Sequence, residues 1–235
     1  MDYRIVAVGL TFALGAVDFL SEGHFMRTKG IFKQRLVSFA AGTSVAYLFL
    51  HLFPQLYYSI LVEEPSYQQL TFFLMMIGFI SYHVIEKWIY QHARRDDIVK
   101  EIEIEHSLTL FFYHFIIGFV FVSLLHDGLE NGLLYFIPLS LHIIINALPH
   151  SHRFRGNGVR LFFTGAPLLG AVIGSFFILP SLVQTTLLGL IAGILLFIEA
   201  REIVPKRRGE SIVFFMVGVA LFTVVILAVR NYVGA

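Results

Sequence analysis

Residues 36–58 read LVSFAAGTSVAYLFLHLFPQLYY, a run with no Asp, Glu, Lys or Arg. A helix that crosses the hydrocarbon of a bilayer needs about 20 mostly apolar residues, and this stretch supplies them. Just before it stand Arg27, Lys29, Lys33 and Arg35, whereas the connection beyond it, around Glu63, carries no base. Basic residues at one end only mark an oriented span, because short loops rich in Lys and Arg stay on the cytoplasmic side.

Carried outward along the chain, the same reading finds eight apolar runs, at 4–25, 36–58, 68–90, 107–125, 131–148, 160–179, 181–204 and 211–228. Bases follow the third run at Lys87, Arg94, Arg95 and Lys100, the fifth at Arg153, Arg155 and Arg160, and the seventh at Arg201, Lys206, Arg207 and Arg208. The connections around Asp127 and Ser181 contain none, like the one around Glu63. This every-other-loop pattern predicts an all-α polytopic membrane protein, one integral membrane domain over 1–235, with both termini on the outer side. The first run ends in the polar stretch Asp18 to His24; placing it elsewhere gives seven spans and an inner N-terminus. Acidic residues after its apolar part, in place of a small-residue cleavage site, distinguish it from a secretory signal.

Composition agrees. Charged residues make up 14% of the 235 and hydrophobic ones 57%, against roughly 25% charged in a soluble domain, which excludes most soluble enzymes. A net charge of +1, from 17 bases and 16 acids, offers no electrostatic field to nucleic acid. With no cysteine, disulfides and thiolate metal sites are excluded. A metal ion has only His, Asp, Glu, Asn and backbone oxygen to bind.

An ionisable side chain at the bilayer centre costs about 3 kcal/mol on insertion scales and so points to function. The runs contain Asp18, His51, His83, Glu86, His114, His142, Glu199 and Glu202, with Asn146 as a neutral companion. His142 and Asn146 are four apart and share a helix face, and His150 continues that stripe. No two histidines are four positions apart and no lysine sits mid-span, so membrane hydrolase, desaturase and retinal chemistries lack their residues and no enzyme is expected. PHSH at 149–152 offers His150 and His152 as a weak cytoplasmic metal fragment. Gly170 and Gly174, also four apart, predict a close helix contact.

Four fragments carry a family likeness. They are FAAGTSVAYLFLHLFPQL with Gly42, His51 and Pro54, GFISYHVIEKW in the third run, APLLGAVIG in the sixth, and GILLFIEAREIVP with Gly193, Glu202 and Pro205. In this order they resemble the ZIP (Zrt/Irt-like) family of divalent-metal transporters over nearly the whole chain. The resemblance implies an eight-helix bundle with a metal centre between the fourth and fifth spans. There the family has HNxPEG and HExPxE, where this chain has YHFIIG at 113–118 and HIIINA at 142–147. Tyr113, His114, Ile116 and Ile117 thus stand for His, Asn, Pro and Glu, and only Gly118 is kept. In the fifth span His142 is kept, while Ile143, Ile145, Asn146 and Ala147 replace the rest.

The resemblance implies passage of divalent cations, Zn²⁺ foremost, into the cytoplasm. His51 would gather the ion outside, His114, His142 and Asn146 would hold it centrally, and Glu199 and Glu202 would release it inside. Those central ligands are neutral, and a buried dication needs compensating charge. Asp18, Glu199 or Glu202 would have to supply it. Ile116 and Ile145, in place of prolines, predict straighter helices and a narrower pathway. The alternative is a non-transporting ZIP-fold protein that serves as a metal sensor, scaffold or subunit of another membrane complex. Expected partners are the lipid bilayer and the metal ion, with apolar faces that suit a homodimer, and no nucleic acid. The expected location is the cell membrane, plasma or inner. No resident cofactor is expected, zinc being the transported or bound ion.

Overall fold

The structure, a computed structural model, describes residues 2–24, 31–62, 65–92, 98–147, 157–203 and 211–233. Every element among them is helical. α1 spans Tyr3–His24, α2 Ile31–Tyr47, α3 Phe53–Val62, α4 Pro65–His92 and α5 Ile98–Asp127. α6 spans Leu129–Ala147, α7 Asn157–Thr164, α8 Ala166–Gly174, α9 Ser181–Ile203 and α10 Ile212–Val233. Each of the eight apolar runs overlaps these helices, although residues 175–179 of the sixth lie beyond α8. Among the described residues, five stretches are long and apolar enough to cross a membrane: Tyr3–Leu20, Gln34–Tyr58, Tyr67–Ile85, Ser181–Ala200 and Ile212–Asn231. The polar-ended first run is among them.

Two runs expected as single helices are interrupted. Between α2 and α3 the chain widens into a π-helical turn at Leu48–Leu52, where the Phe53 N–H donates to the Leu48 carbonyl. The cause is Pro54, which has no N–H to return and whose ring crowds the carbonyl one turn back. The sixth run breaks at Gly165, with Pro167 in the first turn of α8, where its missing N–H costs least. By contrast α5 runs unbroken over its 30 residues, as expected for a helix with Ile116 in place of proline. α6 does contain a proline, Pro138, well before Ile145.

Three helix pairs run parallel at the closest spacing a backbone allows. In α2 and α10, a Cβ on Gly42 would strike the Phe215 carbonyl, and one on Gly218 the Phe39 carbonyl. In α4 and α9, Gly78 and Gly193 lie in the same way against Leu190 and Met75. In α5 and α8, Gly118 and Gly170 lie against Pro167 and Phe115. Each pair carries a reciprocal glycine, so both helices present bare backbone to each other. Where lipid removes the hydrophobic incentive to associate, such van der Waals contact is what holds helices together. Gly174, the partner of Gly170 in the predicted contact, meets Phe119 of α5.

Three further packings, of α5 with α6, α1 with α5 and α2 with α6, are antiparallel. α6 folds back on α5 across Gly128, with Phe121 and Phe136 stacked at 4.8 Å. Tyr3 of α1 meets His126 near the end of α5 at 5.0 Å, and Gly15 lies against Thr164. α6 also runs against α2, with Tyr135 6.4 Å from Tyr47 and Leu141 packed on Ala40. α2 and α9 are central. Many residues of α1, α4 and α10, among them Phe12, Phe72, Phe73, Val213 and Leu221, turn apolar side chains outward. In water such a surface would aggregate, while in a bilayer it is the solvated face.

Candidate functional site

Four ionisable side chains among the described residues are buried within the bundle: Asp18 of α1, His51 of the π turn, His114 of α5 and Glu199 of α9. Helix packing fixes their relative depth. Tyr3 stands against His126, and the chain rises 1.5 Å per residue, so by this count Asp18 comes level with α5 one turn before His114. On the far side, Gln184 of α9 bonds Ser123 and Asp127 of α5. Fifteen residues further along α9, Glu199 reaches the same level as Asp18. By helix rise alone, Asp18 and Glu199 thus lie about one turn in depth from His114. Each is engaged with a neighbour, yet no group of three or more His, Asp or Glu among the described residues is placed to hold a metal ion.

His51 is nearer one end. Its ring lies 5.6 Å from that of Tyr47, one turn earlier, and Nε2 has no hydrogen-bond partner. Arg230, in the last turn of α10, is within electrostatic reach. A cation gathered at His51 would share its surroundings with that charge.

The remaining sequence-derived residues divide. His142, Asn146 and Glu202 are carried by α6 and α9 but their side chains, like that of Glu86, lie outside the described residues, as do His150 and His152 entirely. His83 is exposed on α4, 6.3 Å from Phe197, and so stands apart from the interior group.

The fold also gathers residues that the sequence did not single out for a role. Tyr47, Tyr113 and Tyr135 are fully buried, and the Tyr135 hydroxyl donates to the Ile117 carbonyl at 3.4 Å. At the end of the bundle that holds Tyr3, the Ser123 hydroxyl donates to Gln184 Oε1 at 2.6 Å and Gln184 Nε2 donates to Asp127 Oδ2 at 2.7 Å. Asp127 also lies 3.5 Å from His126. The available signal for this lock was a lone glutamine in the first turn of an otherwise apolar run.

No known family's model matches the chain, and no curated protein resembles it significantly. The functional reading therefore rests on the chain's own residues. Chemically, two carboxyl groups and an imidazole on three helices make the interior of the bundle polar near the middle of α5.

Proposed function

We propose that this protein is a ZIP-type membrane transporter that carries divalent cations, Zn²⁺ foremost, into the cytoplasm across the plasma or inner membrane. The observation that carries the reading is the burial of Asp18, His114 and Glu199 on three different spans, within about one turn of each other in depth by helix rise. Buried ionisable residues in a bilayer are costly, and several on different spans point to a path or resting place for an ion. Asp18 and Glu199 are the carboxylates that the neutral set His114, His142 and Asn146 lacks.

The helix directions support eight crossings with outer termini. Every parallel pair joins runs an even number of crossings apart, and every antiparallel pair runs an odd number apart. A chain that crosses a slab once per run gives this parity, and the Lys- and Arg-bearing loops then set the inside.

A second reading, a non-transporting ZIP-fold sensor, scaffold or subunit, draws on the tight packing around the histidines. His51 and His114 are 5% and 7% exposed, each beside a tyrosine ring. The deciding experiment is Zn²⁺ uptake into proteoliposomes with an internal metal dye, wild type against His142→Ala at matched incorporation. Flux lost in the variant supports transport. Wild-type flux no greater than that of empty liposomes, from folded and inserted protein, favours the second reading.

A further inference from the structure

Ser44, Tyr47, His51 and Gln55 fall one turn apart along α2, the π turn and α3, which places them on one stripe. Ser44 and Tyr47 are 1% and 0% exposed. Ser44 Oγ, the Tyr47 hydroxyl, His51 Nε2 and Gln55 Oε1 are all buried atoms without a hydrogen-bond partner in the protein, and Ser140 Oγ on α6 is another. One such atom is an ordinary defect of packing. Five, four of them in a row, form a lining, since a buried polar group that nothing satisfies is costly. The usual partner of buried polar groups that lack a protein one is ordered water.

The lining ends abruptly. One turn before Ser44 the chain passes to Ala40, packed with Leu36, Val37 and Leu141 in a small apolar cluster separate from the main core. Leu141 of α6 packs on Ala40 in that cluster, next in sequence to Ser140. At the other end Tyr57 and Tyr58 are exposed. We propose that the stripe lines a half-channel for water and protons, open at the α3 end and closed by the plug of Leu36, Val37, Ala40 and Leu141.

The chemistry of the lining selects that occupant. Two hydroxyls, an imidazole and an amide both donate and accept hydrogen bonds, as a chain of waters requires. No carboxylate lies on the stripe to hold a dication, and Arg230 stands within electrostatic reach of His51. Tyr135, anchored through its hydroxyl to Ile117, forms the wall across from Tyr47. A proton from bulk water passes along waters, each accepting on one side and donating on the other, to the His51 ring, which holds it and returns it by the same path, and the plug keeps that path from crossing. The proposal rests on the reading of α2 and α3 as a membrane span and is independent of whether a metal ion is carried.

The test is X-ray radiolytic footprinting of the wild-type protein in liposomes, because hydroxyl radicals mark side chains that touch water. Tyr47 and His51 are expected to be labelled, while the equally buried apolar Phe121 and Phe222 stay unlabelled. Tyr47 and His51 as silent as the two phenylalanines would overturn the half-channel, and so would equal labelling of all four. Zn²⁺ flux measured in the same liposomes stands or falls separately. For the plug, Leu141→Ser is expected to speed the collapse of an imposed pH gradient relative to a tight wild type, read with an internal pH dye. Val37→Ser gives the same readout should Leu141→Ser not insert. An unchanged leak in an inserted variant would overturn the plug.

Discussion

Tyr47 and His51 lie one turn apart with ring centroids 5.6 Å from each other, at the start and within the π turn that Pro54 imposes. The tyrosine contributes a packed ring and a hydroxyl that no protein group receives, and two substitutions separate these contributions. Tyr47→Ala should cost about 3–5 kcal/mol through the cavity it leaves. Tyr47→Phe should cost about 1 kcal/mol, the net worth of a hydrogen bond to water. Unfolding midpoints of the two variants in detergent check this, and equal losses would mean that the ring is not what packs.

The reciprocal glycines set the spacing of the parallel pairs. Gly42→Ala, Gly118→Ala and Gly193→Ala each force a methyl into a partner's backbone carbonyl, and backbone cannot swing aside as a side chain would. A destabilisation of about 1–3 kcal/mol is expected for each. Gly9 has nothing within 4 Å of its Cβ position, so Gly9→Ala should not lower the thermal unfolding midpoint. A midpoint lowered equally at all four positions would refute the packing account.

Gln184 ties α9 to α5 by accepting from Ser123 and donating to Asp127. Because Asp127 is partly in water, solvent replaces part of what Gln184→Leu removes, and the loss should be about 1–2 kcal/mol. A double-mutant cycle with Ser123→Ala should return a coupling of about 1 kcal/mol. Strict additivity would show that the lock carries no energy.

Glu199 is 1% exposed. Glu199→Gln keeps the shape and removes the carboxyl group that a cation would need, so Zn²⁺ flux should fall about 10- to 100-fold with little loss of stability, since an amide of the same shape fills the same space. Flux and thermal unfolding measured on the same preparation decide it. Undiminished flux would take Glu199 out of the ion's path.

The orientation has its own check, since a chain without cysteine is a clean background for single introduced thiols. Asn231→Cys and Lys87→Cys are both at exposed positions. An impermeant maleimide should label position 231 on intact cells and position 87 only after permeabilisation.

Much of this protein was legible before any coordinates. The eight apolar runs, their basic loops and the interior histidines and acids are visible because hydrocarbon sets a minimum helix length and penalises charge, and both constraints act on residues adjacent in sequence. Pro54 and Pro167 announced local disturbance, although the π turn and the break at Gly165 depended on how the backbone compensated. The likeness to HNxPEG and HExPxE directed attention to His114, while the acids within about one turn of its depth, Asp18 and Glu199, came from distant spans.

The sequence by itself determined that the chain is helical and apolar enough to cross a membrane, and which residues would be expensive there. Only the tertiary structure decided which spans pair, through glycines such as Gly42 and Gly218 whose value appears only when two backbones meet. It also decided that Asp18, His114 and Glu199 are buried and that polar atoms of Ser44, Tyr47, His51 and Gln55 are buried without a hydrogen-bond partner in the protein. Length and hydropathy are sums over neighbours along the chain. Depth, pairing and hydrogen-bond satisfaction are relations between helices far apart in it, set by how their surfaces fit.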